Sequence, residues 1–102
     1  MSHLLQVLYP ITESTNFNYD YYFGKHMATV GENIGEYMES SVVTKGIAGG
    51  PDVPALYYGI STLVFKDKSA LDGALSKIEK PVADIANFTN TKPIMLIGEA
   101  VG

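Results

Sequence analysis

Short apolar segments alternate along this chain with two stretches of helical spacing. Residues 3–9, 41–47, 57–65 and 94–99 predict strands, because each is short, apolar or β-branched, and bounded by proline, glycine or polar residues. Residues 18–34 and 69–80 predict two helices. The order strand, helix, strand, strand, helix, strand predicts an α+β fold of the ferredoxin-like, split βαβ type, in which both helices cover one face of an antiparallel sheet.

Apolar stripes and end signals define the two predicted helices. In the first helix, Asn18 is placed to cap the first turn. In the second, Ser69 followed by Asp72 resembles a capping box, and Pro81 ends the helix and leaves residues 82–88 as a short turn. The stripe expected to face the sheet is Phe23, Met27, Val30 and Ile34 in the first helix and Leu71, Ala74, Leu75 and Ile78 in the second.

The predicted strands are apolar on both faces, which two helices on one face do not explain. In the last strand, for example, Ile94 and Leu96 alternate with Met95 and Ile97. An exposed apolar sheet face would form a large hydrophobic patch that favours association or aggregation. A second copy packed sheet to sheet would cover it, so we expect a homodimer with twofold symmetry.

The composition limits which classes of partner and which cellular compartment we expect for this protein. The chain has 102 residues, which predicts one domain over 1–102, and a formal net charge of −4. All its cations are lysines and no basic stripe appears, so we expect no nucleic acid and no polyanionic partner. It lacks cysteine, a basic leader segment and any apolar run that would span a membrane, so we expect a cytoplasmic protein with no membrane contact.

His26 is the candidate acid or base, since the other histidine, His3, lies in the first strand. His26 falls at the margin of the first helix's apolar stripe, and Tyr22 precedes it by one helical turn. Imidazole titrates near pH ~6.5, which suits proton transfer at neutral pH. The alternative is a boundary histidine bonded to a backbone carbonyl. No set of ligands for a metal ion is apparent.

Further candidates are tyrosines and a polar turn. Hydroxyls of the tyrosines could orient a carbonyl or phenolic ligand, but ordinary amphipathic packing explains them as well. Alternation sends neighbouring tyrosines of one strand to opposite faces, so at most one of Tyr57 and Tyr58 reaches His26. Asp84, with Phe88 in the turn after it, could border the same cleft or only cap local backbone. The tyrosines in question are Tyr9, Tyr19, Tyr22, Tyr57 and Tyr58.

The glycine-rich segment at residues 46–51 does not predict a phosphate cradle. No Lys-Ser or Lys-Thr pair follows it, no helix begins there, and Pro51 removes a donor amide. We interpret it as the connection between two strands.

Several short motifs, taken in order, resemble the EthD family (named from ethyl tert-butyl ether degradation) of the dimeric α/β-barrel superfamily. His26 matches the histidine of the family's first helix, whereas Ala28 stands where the family commonly has proline. The resemblance spans nearly the whole chain and rests on these segments: Val7-Leu8-Tyr9-Pro10, Phe17-Asn18-Tyr19-Asp20-Tyr21-Tyr22, Lys25-His26-Met27, Gly46, Gly49, Pro51 and Pro54 before Tyr57, and Asp84-Ile85-Ala86-Asn87-Phe88-Thr89.

The resemblance implies a ferredoxin-like protomer that dimerises through its sheets. The His26 and Tyr22 pair, the neighbouring aromatic residues and the absence of a metal or nucleotide motif favour a small-molecule enzyme without a bound cofactor. Oxidoreductase, monooxygenase-type or isomerase chemistry on a mostly apolar, carbonyl- or phenol-bearing metabolite is expected. In it His26 would transfer the proton, Tyr22 would orient His26, and Tyr9 with one of Tyr57 or Tyr58 would polarise the substrate oxygen. The alternatives are a non-catalytic protein that carries a small apolar ligand in a degradation pathway, and a haem protein with His26 as axial ligand.

Overall fold

Central strand β1 organises the sheet, because its partners lie on both sides of it. The computed structural model describes residues 2–102, with strands β1 (His3–Pro10), β2 (Ser40–Lys45), β3 (Tyr57–Phe65) and β4 (Ile94–Glu99). The strand order is β2–β3–β1–β4, and every neighbouring pair is antiparallel. The predicted α+β, ferredoxin-like fold is therefore confirmed.

The first helix is continuous over residues 19–34 but changes its winding. It consists of an opening turn, α1 (Tyr19–Tyr21), a π-helical segment (Tyr22–His26) and α2 (Met27–Ile34), and a 3₁₀ turn follows (Gly35–Tyr37). Asn18 caps it as predicted, since its side-chain oxygen accepts from the Tyr21 amide at 3.1 Å.

The π-helical segment rotates the buried face of the first helix. Its widened turn is closed by the Met27 amide donating to the carbonyl of Tyr22. Tyr22 and His26 are therefore both buried, whereas Phe23 is 45% exposed. The prediction that Phe23 belongs to the core stripe and His26 to its margin was wrong, because it assumed a uniform α-helical period.

The second helical region differs from its prediction at both ends. Asp67, not Ser69, caps α3 (Lys68–Leu75), and its carboxylate accepts from the Ala70 amide at 2.9 Å. Pro81 does not end this region but lies in the first turn of α4 (Glu79–Asp84), where a missing amide costs no helical hydrogen bond. A 3₁₀ turn (Ile85–Asn87) continues it, so the predicted turn over 82–88 is mostly helical.

The core lies between the helices and one face of the sheet. Leu5, Val7 and Tyr9 of β1 are buried on this side, opposite Leu63 and Ser61 of β3. At one end, four aromatic rings are all in mutual contact, with six centroid distances between 5.0 and 5.5 Å. We call these four the aromatic cluster: Tyr9, Phe17, Tyr22 and Phe88.

The other face of the sheet has no helix over it and remains apolar. Its centre holds one polar pair, in which the Gln6 amide donates to the Thr62 hydroxyl at 3.2 Å. The side chains around that pair include Val42, Ile94 and Leu96, which are 50–60% exposed. No helix within residues 2–102 is long and apolar enough to cross a membrane.

Candidate active site

A small cavity lies between the first helix, α4 and the sheet. Its volume is about 30 Å³, enough for about one water molecule. Nearly all of its lining is apolar, including Leu5, Val30 and Ile34. Only three lining residues have polar side chains: His26, Tyr9 and Ser61.

His26 is fixed by a carboxylate from α4. The ring is 4% exposed, and its Nδ1 lies 2.9 Å from Oδ2 of Asp84. The other oxygen of Asp84 accepts from the Tyr21 hydroxyl at 2.7 Å and from the Asn87 amide at 2.9 Å. Asp84 is therefore held on both oxygens, and it in turn fixes the orientation of the imidazole.

The same contacts determine the charge of the pair. Burial tends to raise the pKa of Asp84, but the hydrogen bonds from Asn87, Tyr21 and His26 outweigh it and leave the pKa lowered. Burial lowers the pKa of His26, and the bond to Asp84 opposes this only in part. At neutral pH Asp84 is ionised and His26 is neutral. The Nδ1 hydrogen then points to Asp84, and the lone pair is on Nε2.

The free groups at the cavity are an acceptor and a donor. Among the residues described, the ring of His26 has a hydrogen-bond partner only at Nδ1, so Nε2 is available. Tyr9 is 1% exposed, and no described side chain or carbonyl bonds its hydroxyl. Burial, with the nearby Tyr22, raises the pKa of Tyr9, which keeps its hydroxyl protonated as a donor.

Two rings of the aromatic cluster pack against His26. The imidazole lies 4.6 Å from the ring of Phe88 and stacks at 5.9 Å on that of Tyr22. Tyr22 is completely buried, and its hydroxyl is hydrogen-bonded to Ser61 at 2.5 Å rather than to His26. Tyr22 and Phe88 thus restrict the ring of His26 by packing.

Tyr19, Tyr57 and Tyr58 do not line this cavity. The hydroxyl of Tyr19 donates to the carbonyl of Tyr58 at 3.0 Å, while Tyr58 stacks on Phe17 at 5.1 Å and bonds Thr15. The pairing of β1 with β3 shifts register between Tyr9 and Pro10. That irregularity directs Tyr58 towards the aromatic cluster, so strict alternation along β3 does not describe its end.

Three residues of the site were not predicted as site residues: Tyr21, Ser61 and Asn87. Each contacts a predicted residue, but across 3 to 63 positions of sequence. Of the three, only Asn87 could have been linked to the site from the sequence, because it lies three positions after Asp84. The rest of the polar turn serves the loop before the first helix, since Thr89 donates to the carbonyl of Asn16 and Thr91 to that of Pro10.

No three histidine, aspartate or glutamate side chains within residues 2–102 converge in a way that could hold a metal ion. Asp84, the carboxylate bonded to His26, already has both oxygens engaged by its neighbours. The chemistry available from the chain itself is proton transfer at Nε2 of His26 and hydrogen-bond donation by Tyr9.

Solved structures confirm the resemblance to EthD proteins. An EthD-like protein from Ralstonia eutropha JMP134 matches with a TM-score of 0.87 and 27% identity over 99% of this chain and 93% of that one. An EthD family protein from Bacillus halodurans C-125 matches with a TM-score of 0.67 and 19% identity, over 99% of this chain and 100% of that one.

A more distant structure shares the fold alone. It is a dabb family protein with a ferredoxin-like fold from Mesorhizobium loti, with a TM-score of 0.57 and 9% identity over the full length of both chains. No family model and no curated protein sequence matches the chain.

Proposed function

Because the chain resembles EthD-like proteins, we propose that it is a small-molecule enzyme in which His26 acts as a general base on a mostly apolar, carbonyl- or phenol-bearing metabolite. The observation that carries this proposal is that the carboxylate of Asp84 holds Nδ1 of His26, and that the ring of His26 lines the cavity. A buried imidazole that is held neutral by its surroundings, with one nitrogen anchored and the other free, is prepared to accept a proton.

The polar groups of the cavity have complementary roles in this proposal. Nε2 of His26 removes a proton from a phenol or from the carbon beside a carbonyl. The hydroxyl of Tyr9 donates a hydrogen bond to the oxygen on which negative charge develops. Asp84 stabilises the imidazolium that forms, because its carboxylate lies 2.9 Å from Nδ1.

Two reaction classes begin with this proton transfer. In an isomerisation, the proton returns from His26 to a different carbon of the anion. In an oxidation of the monooxygenase type, the anion reduces dioxygen as co-reactant: one oxygen atom becomes bonded to the substrate carbon as a new carbonyl, and the other leaves as water with the two hydrogens that carbon loses. Both use the same residues, and the family resemblance favours neither class over the other.

Binding requires the cavity to widen, because about 30 Å³ is far less than the ~300–1,000 Å³ of typical ligand sites. Met27 and Met95 both line it, and unbranched thioether side chains rearrange at little cost. A ligand that replaces their contacts would retain the apolar surroundings of the site.

The proposal is tested by a thermal-shift screen of the wild type, His26→Gln and His3→Gln against aromatic phenols, ketones and lactones. A ligand present at 100 times its Kd adds about 2.7 kcal/mol of stability. We expect turnover of a stabilising compound to fall about 10²–10⁴-fold in His26→Gln. His3→Gln is the matched control, since His3 does not line the cavity, and equal turnover by all three proteins would contradict the proposal.

A non-catalytic ligand carrier is the second candidate, favoured by the apolar lining of the cavity. A carrier needs the same shape but no proton transfer. It predicts ligands that stabilise the wild type and His26→Gln equally and that are recovered unchanged after incubation, with or without dioxygen.

We also propose that two copies associate through the open sheet face. The support is the exposure of Val42, Ile94 and Leu96 on the face without helices. Sedimentation velocity checks this: the wild type should be a dimer, and Leu96→Lys should be a folded monomer because a buried unpaired charge opposes association. A monomeric wild type at micromolar concentration would contradict the dimer.

A further inference from the structure

The two most exposed residues that line the cavity belong to α4 and β4. Of its lining residues, Met95 is 43% exposed and Val82 is 39% exposed, whereas every other one is buried or half-buried. Met95 belongs to β4 and Val82 to α4. The exposure of the lining is therefore concentrated where α4 and β4 border the cavity that His26 also lines.

This exposure arises because β4 is an edge strand that the helices leave uncovered. Met95 pairs with Val7, and Ile97 pairs with Leu5, so all four point to the helical side of the sheet. Val7 and Leu5 are buried beneath the helices, yet Met95 and Ile97 are 43% and 54% exposed. Only Met95 of the two lines the cavity.

We propose that the passage between Val82 and Met95 is the ligand entrance, and that Met95 gates it and limits the width of the molecules admitted. This inference rests on the proposed function, in that the cavity beside His26 is the ligand site. Methionine suits a gate because its three rotatable bonds let it swing aside without leaving a rigid gap.

The lining of the passage also defines the chemical class admitted. No lysine lines the cavity or its mouth, and neither does any carboxylate. An anionic ligand would lose its hydration without gaining a counter-charge. The entrance therefore selects neutral, narrow, mostly apolar molecules that carry oxygen at the end that meets Tyr9 and His26.

Access is measured without knowing the substrate by the rate at which diethyl pyrocarbonate modifies His26. This reagent is itself a neutral carbonyl compound. The lone pair of an imidazole nitrogen attacks one of its carbonyl carbons and expels ethyl carbonate, which takes up the proton lost from the other ring nitrogen and decomposes to ethanol and carbon dioxide. In a His3→Gln background His26 is the only histidine, so the absorbance of N-carbethoxyhistidine reports His26 alone.

We expect Met95→Ala to accelerate this modification about tenfold, which corresponds to about 1.4 kcal/mol in the barrier to access. Met95→Trp should slow it, and Met95→Leu, which conserves volume, should leave it within about twofold. Ile97→Ala is the matched control, since Ile97 shares the strand, the face and the exposure of Met95 but does not line the cavity.

The gate is overturned if Ile97→Ala accelerates the reaction as much as Met95→Ala. It is equally overturned if the Met95 variants are modified at the same rate as the protein with Met95, whatever that rate is. Circular dichroism on each variant establishes that it is folded. These outcomes are independent of catalysis: an inert protein could still be gated by Met95, and an active enzyme could admit its substrate elsewhere.

Discussion

The two ends of the cavity are built in opposite ways. At the aromatic cluster, every ring touches the other three, and the buried polar atoms around it, apart from those that face the cavity, have partners. At β4, by contrast, four consecutive apolar residues, 94–97, are 43–56% exposed, and no helix covers them. The aromatic cluster is held in place by many contacts, whereas β4 is held mainly by its pairing with β1.

This difference separates chemistry from access. Proton transfer requires His26 and Tyr9 to stay within a small range of positions, which dense packing provides. Admitting a ligand into a cavity of about 30 Å³ requires side chains that move, which an uncovered edge strand provides. The fold thus supplies both within one small domain, since Met95 on the edge strand pairs with Val7, two positions from Tyr9 on β1.

Truncation of the aromatic cluster should give the largest contrast with the β4 edge. Phe88→Ala removes a ring that is 3% exposed and contacts the rest of the cluster and His26. We expect it to lower the free energy of unfolding by about 3–5 kcal/mol, while Ile97→Ala at the edge costs about 1 kcal/mol or less. Urea denaturation measures both, and similar losses would remove the distinction between the two ends.

A smaller change tests whether the cluster depends on its buried polar bond. Tyr22→Phe deletes the hydroxyl that bonds Ser61 and leaves the Ser61 hydroxyl buried without a partner. We expect a loss of about 1–3 kcal/mol. Adding Ser61→Ala should recover part of it, because the stranded polar group is then gone. A double variant less stable than Tyr22→Phe would mean that Ser61 has another role.

The smallest effect is the dependence of stability on pH. Burial lowers the pKa of His26 in the folded protein below the ~6.5 of the unfolded chain, while Asp84 partly opposes the shift. As the pH falls below about 6.5, the unfolded state binds the proton first, so the free energy of unfolding decreases. Above that pH the contribution of His26 is fully present.

Asp84 acts in the same direction at lower pH, because its folded-state pKa is lowered and protonation favours the unfolded chain. His26→Gln should therefore flatten the stability profile just below pH 6.5 but retain the loss at more acidic pH. Chemical denaturation at a series of pH values measures this, and a wild type that gains stability on mild acidification would contradict the sign.

Strand placement and facing were predictable from the sequence because alternation is local. The faces of β1 and β4 follow from period two, and the register pairs Val7 with Met95 as the alternation requires. Prediction was wrong where the local period changes. The π-helical segment moved Phe23 out of the core and His26 into it, and a register shift redirected Tyr58.

Composition of the site was only partly predictable for a different reason. His26 and Asp84 were each singled out, but their contact joins positions 58 residues apart. No helical or strand periodicity connects them, because the contact depends on how α4 packs against the first helix. The capping residue of α3 was predicted wrongly for a simpler reason. Asp67 and Ser69 are both good capping residues, and the helix begins directly after Asp67.

The proposed chemistry depends on His26 being a neutral base anchored through Nδ1, with its lone pair on Nε2. Nitrogen-15 NMR of the imidazole between pH 8 and pH 5 tests it most directly, and the two histidines are told apart with His3→Gln. We predict a proton on Nδ1 alone at pH 7 and a pKa below ~6.5. A ring protonated on Nε2, or an imidazolium at pH 7, would contradict the account.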